Sequence, residues 1–267
     1  MAITTLDGVL AGMKAPEAYA KALSGTLVAG RPFTPFYTAG IPGAAAAPSP
    51  GMAGAALTSY AGQIPVPAAS NNTYLARFSG VSSAQGGVLL LCDRLWHNSG
   101  IVVTTTTAQT VNSATLPARD DTGTTAGLGV YAGLEVSTAT GAGASTISIV
   151  YTNHSGTGSR AGAAIDAYAA SSAVGTFYRF GLQAGDVGVQ SIQSFTSTVS
   201  MTSGTVHLVL YRVLATLELS AAGLPNAVDA LTGGMPRLYD NSVPFLLYLP
   251  QTTTTSALAG TVVYTQG

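Results

Sequence analysis

Residues able to do chemistry are few in this chain, and most stand alone. Histidine occurs three times, at His97, His154 and His207, and cysteine once, at Cys92. None of the histidines lies close enough in sequence to another, or to Cys92, to form a local metal motif. There is no HExxH, no CxxC and no EF-hand loop. No metal and no cofactor is therefore expected. The densest polar cluster is DRLWHNSG, Asp93 to Gly100, which holds Arg94, the single tryptophan Trp96, His97 and Asn98. Asp93, His97 and a distant serine could form a hydrolytic triad. No serine sits in a GxSxG elbow, however. The plainer reading is a strand end turning a corner, with Trp96 as a packing or interface anchor. Asp120 and Asp121, in LPARDDTGTTAG, could bind Ca²⁺ or do acid–base work. Two adjacent aspartates in a Gly/Thr loop read more simply as a solvated turn with Arg119 nearby. A glycosidase needs a second carboxylate at a set separation. Glu135, in an apparent strand, and Glu218, at the end of another, have no evident partner. His207 reads as a satisfied core or cross-strand residue. GTGSRAG, Gly156 to Gly162, fails the spacing of a phosphate loop and reads as a turn. The chain is not expected to be an enzyme.

The elements that must position these residues carry little charge. Ten Lys and Arg stand against eleven Asp and Glu in 267 residues, which is 8% charged. About one-quarter is usual for a soluble domain. So neutral a surface lacks the usual defence against association and points to cover by other chains. Nucleic acid is excluded as a partner, because Lys14 and Lys21 are the only lysines and the arginines scatter from Arg31 to Arg237. A membrane is excluded as well. The most apolar run, Val206 to Leu219, contains Arg212 and Glu218 and falls short of the roughly 20 residues a spanning helix needs. MAITTLDGVL has no basic stretch, so no secretory leader is expected. A lone cysteine in GVLLLCD forms no internal disulfide and reads as an inert, buried thiol made in a reducing cytosol.

Three regions follow from the pattern. Residues 1–70 form an N-terminal arm with short helices and an extended Pro-, Gly- and Ala-rich stretch. Within Thr5 to Leu27, PEAYAKAL could be a helix, with Pro16 at its start and Glu17 paired to Lys21. The stretch after Pro32 has too many prolines for helix interior or central strand. It is also too apolar for a free linker, so it must lie on something, either a neighbouring subunit or its own domain. Residues 71–222 read as an antiparallel β-sandwich, jelly-roll-like, with strands at Thr73–Phe78, Gly87–Arg94, Ile101–Val111, Leu128–Ser137, Thr146–Thr152, Thr176–Leu182, Ser191–Met201 and Thr205–Leu219. Both faces of the last strand are apolar, so it should be central. Residues 223–267 read as a β-rich extension, with a short helix and loop in NAVDALTGGMPRLYD. It should pack on the sandwich or on a neighbour. Charge is missing chiefly from Pro32–Ala76, Val187–Tyr211 and Asn241–Gly267. The first and last of these are the arms expected to be covered by other subunits, with Phe33, Phe36, Tyr37, Ile41, Trp96, Phe245 and Tyr248 as interface residues.

The chain resembles virion structural proteins of tailed bacteriophages, head decoration (cement) proteins in particular. The resemblance rests on the opening MAITTLDGVLAGMKAPEAYAKALSGTLVAGRP, on AGIPGAAAAPSPG and on AGLGVYAGLEVSTATGAGASTISIVYTNHSGTGSR. The segment LQAGDVGVQSIQSFTSTVSMTSGTVHLVLYRVLATLEL adds to it. It implies a β-rich homo-oligomer, a trimer, that binds the major capsid protein at the capsid surface after assembly in the host cytoplasm. It carries over no functional residue. A receptor- or glycan-binding fibre, tail or collar subunit is the alternative.

Overall fold

The computed structural model describes residues 3–23, 25–68, 70–234 and 236–267. Among the described residues one short α-helix, α1 (Leu6–Ala11), is capped by Thr5, whose hydroxyl accepts from the Gly8 amide, and a single 3-10 turn spans Pro35–Tyr37. Sixteen strands follow among the described residues. They are β1 (Glu17–Leu23), β2 (Gly40–Ile41), β3 (Ala55–Ala56), β4 (Thr73–Ser82), β5 (Gly87–His97), β6 (Gln109–Thr110), β7 (Val130–Thr138) and β8 (Ile147–Asn153). Then come β9 (Arg160–Ala163), β10 (Phe177–Arg179), β11 (Val189–Ser197), β12 (Thr205–Leu219), β13 (Asn226–Asp229), β14 (Arg237–Leu238), β15 (Pro244–Pro250) and β16 (Ser256–Gln266). The pairings between them are antiparallel, which makes the chain the mainly β, antiparallel sandwich that the alternating Val, Ile and Tyr positions foretold.

Three sheets form. The central one runs β10-β7-β12-β5-β15, with β3 on β5. A second runs β13-β4-β16-β1-β2, with β14 on β4, and a third β6-β11-β8-β9. Strand β12 explains how they stack. Its Val206, Leu208 and Leu210 pack with Ile147, Ile149 and Phe195 of the third sheet. Further along, Leu214, Leu217 and Leu219 pack with Phe78, Val262 and Tyr264 of the second. One long strand thus serves two cores, and that is why its apolar residues are so many. Burying each such side chain contributes roughly 1.5–3 kcal/mol.

The central sheet closes on itself. The stretch Pro32–Thr34 is bonded on one side to β15, through Phe33 N to Tyr248 O and Tyr248 N to Phe33 O, both 2.8 Å. On its other side it meets the start of β10, through Thr34 N to Gly175 O at 2.7 Å and Phe177 N to Pro32 O at 2.9 Å. The arm is therefore the last stave of a small barrel.

Several expectations are corrected. PEAYAKAL is not a helix but strand β1, with Tyr19, Lys21 and Leu23 buried and the residues between them exposed. Its period is two, and pairing with β16 on one edge and briefly with β2 on the other takes up backbone groups that a helix would have bonded internally. NAVDALTGGMPRLYD holds strands β13 and β14 around a turn. Of Ile101–Val111 only Gln109–Thr110 is strand; the Gln109 side chain instead bonds both Val102 N and Val102 O and curls the chain into a loop. Both charge-free arms lie against their own chain. Phe33, Phe36, Leu57 and Ile64 are buried on its sheets, and β16 sits between β4 and β1.

Candidate functional site

The barrel interior gathers the polar residues that the sequence left scattered. In a regular strand Asp93 and His97 would share a face. A bulge at Leu95, where Tyr211 pairs with Arg94 but Leu210 with Trp96, shifts the phase. Arg94 and His97 therefore point into the barrel, and Asp93 points to the opposite face. There Asp93 accepts from Ser242 Oγ (2.9 Å) and Val243 N (2.8 Å), with Arg119 Nε at 3.4 Å. The triad considered for Asp93 and His97 is split across the sheet.

Inside, Arg94 and Glu135 form a fully buried ion pair, with Arg94 Nη1 donating to Glu135 Oε2 at 2.8 Å and Nη2 donating to Oε1. Glu135, which had no evident partner in sequence, is thus paired with a cation two strands earlier in the chain. Arg94 Nε donates to His97 Nδ1 at 3.1 Å. Burial, reinforced by Arg94, holds the His97 imidazole down at about 2, so it is neutral. His207 lies alongside with its ring nitrogens 2.8 Å from Asn98 O and 2.7 Å from Ser137 Oγ, as a satisfied cross-strand residue. Burial also lowers its pKa.

The N-terminal arm stoppers this end. Tyr37 donates its hydroxyl to Glu135, and burial followed by the Glu135 charge pushes that phenol well above its usual range. The Phe36 ring lies 4.9 Å from the Arg94 guanidinium carbon, and Tyr60 meets His97 edge-on at 4.7 Å between centroids. Lys21, buried on β1, donates to Thr38 O (3.2 Å) and Gly43 O (3.1 Å) and pins the chain just after the stopper. Burial lowers its pKa to about 8.

The other end of the barrel is open. Leu90, Tyr131, Tyr211, Val213 and Arg179, from four of its strands, border a cavity of about 610 Å³, with Ile165, Phe180, Leu182 and Asp186 on its lip. Tyr131 is 42% exposed, Ile165 62% and nearby Val187 52%. The charges beside them are already paired, Arg179 with Asp166 and Arg160 with Asp186, each at 2.8 Å.

The seven residues expected at an interface are not equally free to meet one. Phe33, Phe36, Trp96, Phe245 and Tyr248 are buried in the chain's own core, and Tyr37 is committed to Glu135. Trp96 donates to Ala53 O at 3.1 Å, and Tyr248 to Gly86 O at 2.8 Å. Their aromatic area goes into the chain's own cores: Trp96 against the third sheet, Phe33 and Tyr248 against the second, and Phe36 and Phe245 inside the barrel. Ile41, 60% exposed on the edge strand β2, is the one that points outward. The solvated turn expected at Asp120–Asp121 is also corrected. Asp121 is exposed, but Asp120 is buried and accepts from the amides of Thr122, Thr124, Gly127 and Leu128 and from two threonine hydroxyls. Burial alone would raise its pKa; the bonds from Thr124 and Thr122 outweigh it and hold the carboxyl low. Among the described residues no three His, Cys, Asp or Glu side chains gather as metal ligands, and no helix is long and apolar enough to cross a membrane.

No protein-family model matches the chain, and no curated protein does. Among solved structures it is similar to the subviral particle of infectious bursal disease virus VP2, at 11% identity over 96% of this chain and 81% of that one, with a TM-score of 0.19. A superposition that loose carries no functional argument.

Proposed function

We propose that this chain is a structural subunit of a virus particle, specifically a decoration protein of a tailed phage that binds the major capsid protein and stabilises the shell. The reading is supported above all by where the charge lies. Lys21, Asp93, Arg94, Arg119, Asp120, Glu135 and Arg212 are buried, a third of the 21 charged side chains. A chain already short of charge thus keeps much of it inside, and its exterior costs little to desolvate against other proteins. It acts through contacts, as a homo-oligomer, and not through catalysis. Antibody raised against the chain and coupled to gold is expected to label the heads of purified particles. Particles lacking the chain are expected to release DNA at a lower temperature. Absence of label from every particle overturns the reading. A second reading, a receptor- or glycan-binding fibre, tail or collar subunit, draws support from Tyr131, half exposed at the barrel mouth beside Arg179 and Asp186. Label confined to the tail or collar would favour it.

A further inference from the structure

We infer that the open mouth of the barrel is a binding site for an uncharged small molecule that carries a ring and an acceptor oxygen, an aromatic ketone by class. The cavity there has a bottom. Phe177 and Phe245 meet the Tyr211 ring edge-on, at 5.5 and 6.1 Å between centroids, and fill the barrel beneath it. Above them a space of about 610 Å³ stays open, with Leu90, Leu182 and Val213 half-buried around it. That volume lies within the roughly 300–1,000 Å³ of small-molecule pockets, which favour the mouths of β-barrels. The second observation is Tyr211 itself. It is 3% exposed and borders the cavity, yet its hydroxyl bonds no polar group among the described residues. A phenol so deep is normally bonded. Burial pushes it well above its usual range, so it stays protonated and able to donate. A protein surface laid across the lip does not reach that hydroxyl, whereas a molecule that enters the cavity does. Two further donors stand nearer the lip. The Tyr131 hydroxyl is likewise unbonded among the described residues, its ring 6.1 Å from that of Tyr211, and Arg179 spends Nε and Nη2 on Asp166 and keeps Nη1. Donors set in an apolar, partly aromatic wall call for an acceptor oxygen on an apolar body. An ionised ligand is disfavoured, because Arg179 and Arg160 already hold Asp166 and Asp186.

This site does not depend on the virion reading. The experiment is a fluorescence titration of the full chain with prodan, a neutral aminonaphthyl ketone. Its emission is expected to strengthen and shift to the blue at a single site per chain, and acetophenone and ethylbenzene are expected to displace it. Tyr211→Phe deletes one oxygen and breaks no hydrogen bond among the described residues. It is expected to keep the melting temperature, to weaken prodan and acetophenone roughly 5–10-fold, the factor of one hydrogen bond, and to leave the oxygen-free ethylbenzene unchanged. Ile41→Asp, on the exposed edge strand β2, is expected to leave all three unchanged. Absence of saturable prodan binding, or several sites per chain, overturns the inference. So does Tyr211→Phe with undiminished ketone binding or with an equal loss for ethylbenzene, or Ile41→Asp with reduced binding. Displacement of prodan by methyl glucoside overturns it as well, in favour of the glycan-binding alternative. Particle heads labelled by antibody against a chain that binds no prodan would leave the decoration reading standing and remove this one.

Discussion

Arg94 and Glu135 illustrate how a charge-poor chain commits the charges it has. Two ions out of water recover little net energy from each other, but either one left alone is costly. Glu135→Ala is expected to destabilise the fold by about 3–5 kcal/mol in urea denaturation, and the double variant Arg94→Met, Glu135→Leu to regain most of that loss. His97 links the same cluster to pH. Its imidazole refuses a proton in the folded state until about 2, whereas the unfolded chain takes one near the ordinary 6.5. Unfolding therefore binds a proton between those values, and stability falls as pH drops through that window, by up to about 1.4 kcal/mol per unit. His97→Gln is expected to flatten the slope by one proton when midpoints are compared from roughly pH 7 to pH 5, while His207 keeps its own share. None of this was legible in DRLWHNSG. A reader of the sequence sees Asp93 and His97 four apart and places them together; the unpaired residue at Leu95 that separates them leaves no compositional mark.

At the scale of elements, strands with a clean period of two were the readable part. Strand β12 begins and ends where its apolar run does, at Thr205 and Leu219. PEAYAKAL was misread because Ala, Glu and Lys favour helix locally, and only pairing with β16, more than two hundred residues away, overrides them. The loop after β6 was misread for the opposite reason: two aspartates side by side look solvated until the amides converging on Asp120 are seen. Asp120→Ala would leave those buried donors unsatisfied and is expected to cost about 2–3 kcal/mol of stability. It should also raise amide hydrogen exchange at Thr122, Thr124, Gly127 and Leu128 before the core is affected.

For the molecule as a whole, the two uncharged arms show the limit of composition. Neutral, apolar segments signal burial, and most of the large apolar side chains of both are buried in the chain itself, although residues 39–63 are largely exposed or half-buried; composition is silent on which chain does the burying. Here the arm residues stopper and close the chain's own barrel, so the surface that remains for partners is smaller and more specific than the sequence implied. It comprises the mouth, its lip and edges such as Ile41. The closing contact also has a temporal side. Thr34 Oγ1 bonds Leu246 O, 212 positions along the chain. A ring whose first stave must wait for nearly its last cannot be completed while the ribosome is still adding residues between them. For most of its synthesis the nascent chain is an open ribbon with two raw edges, Arg94 and Glu135 not yet sealed from water, and closure over so long a loop is a slow event. The moment at which the ring can close is therefore set by the release of the strand around Tyr248.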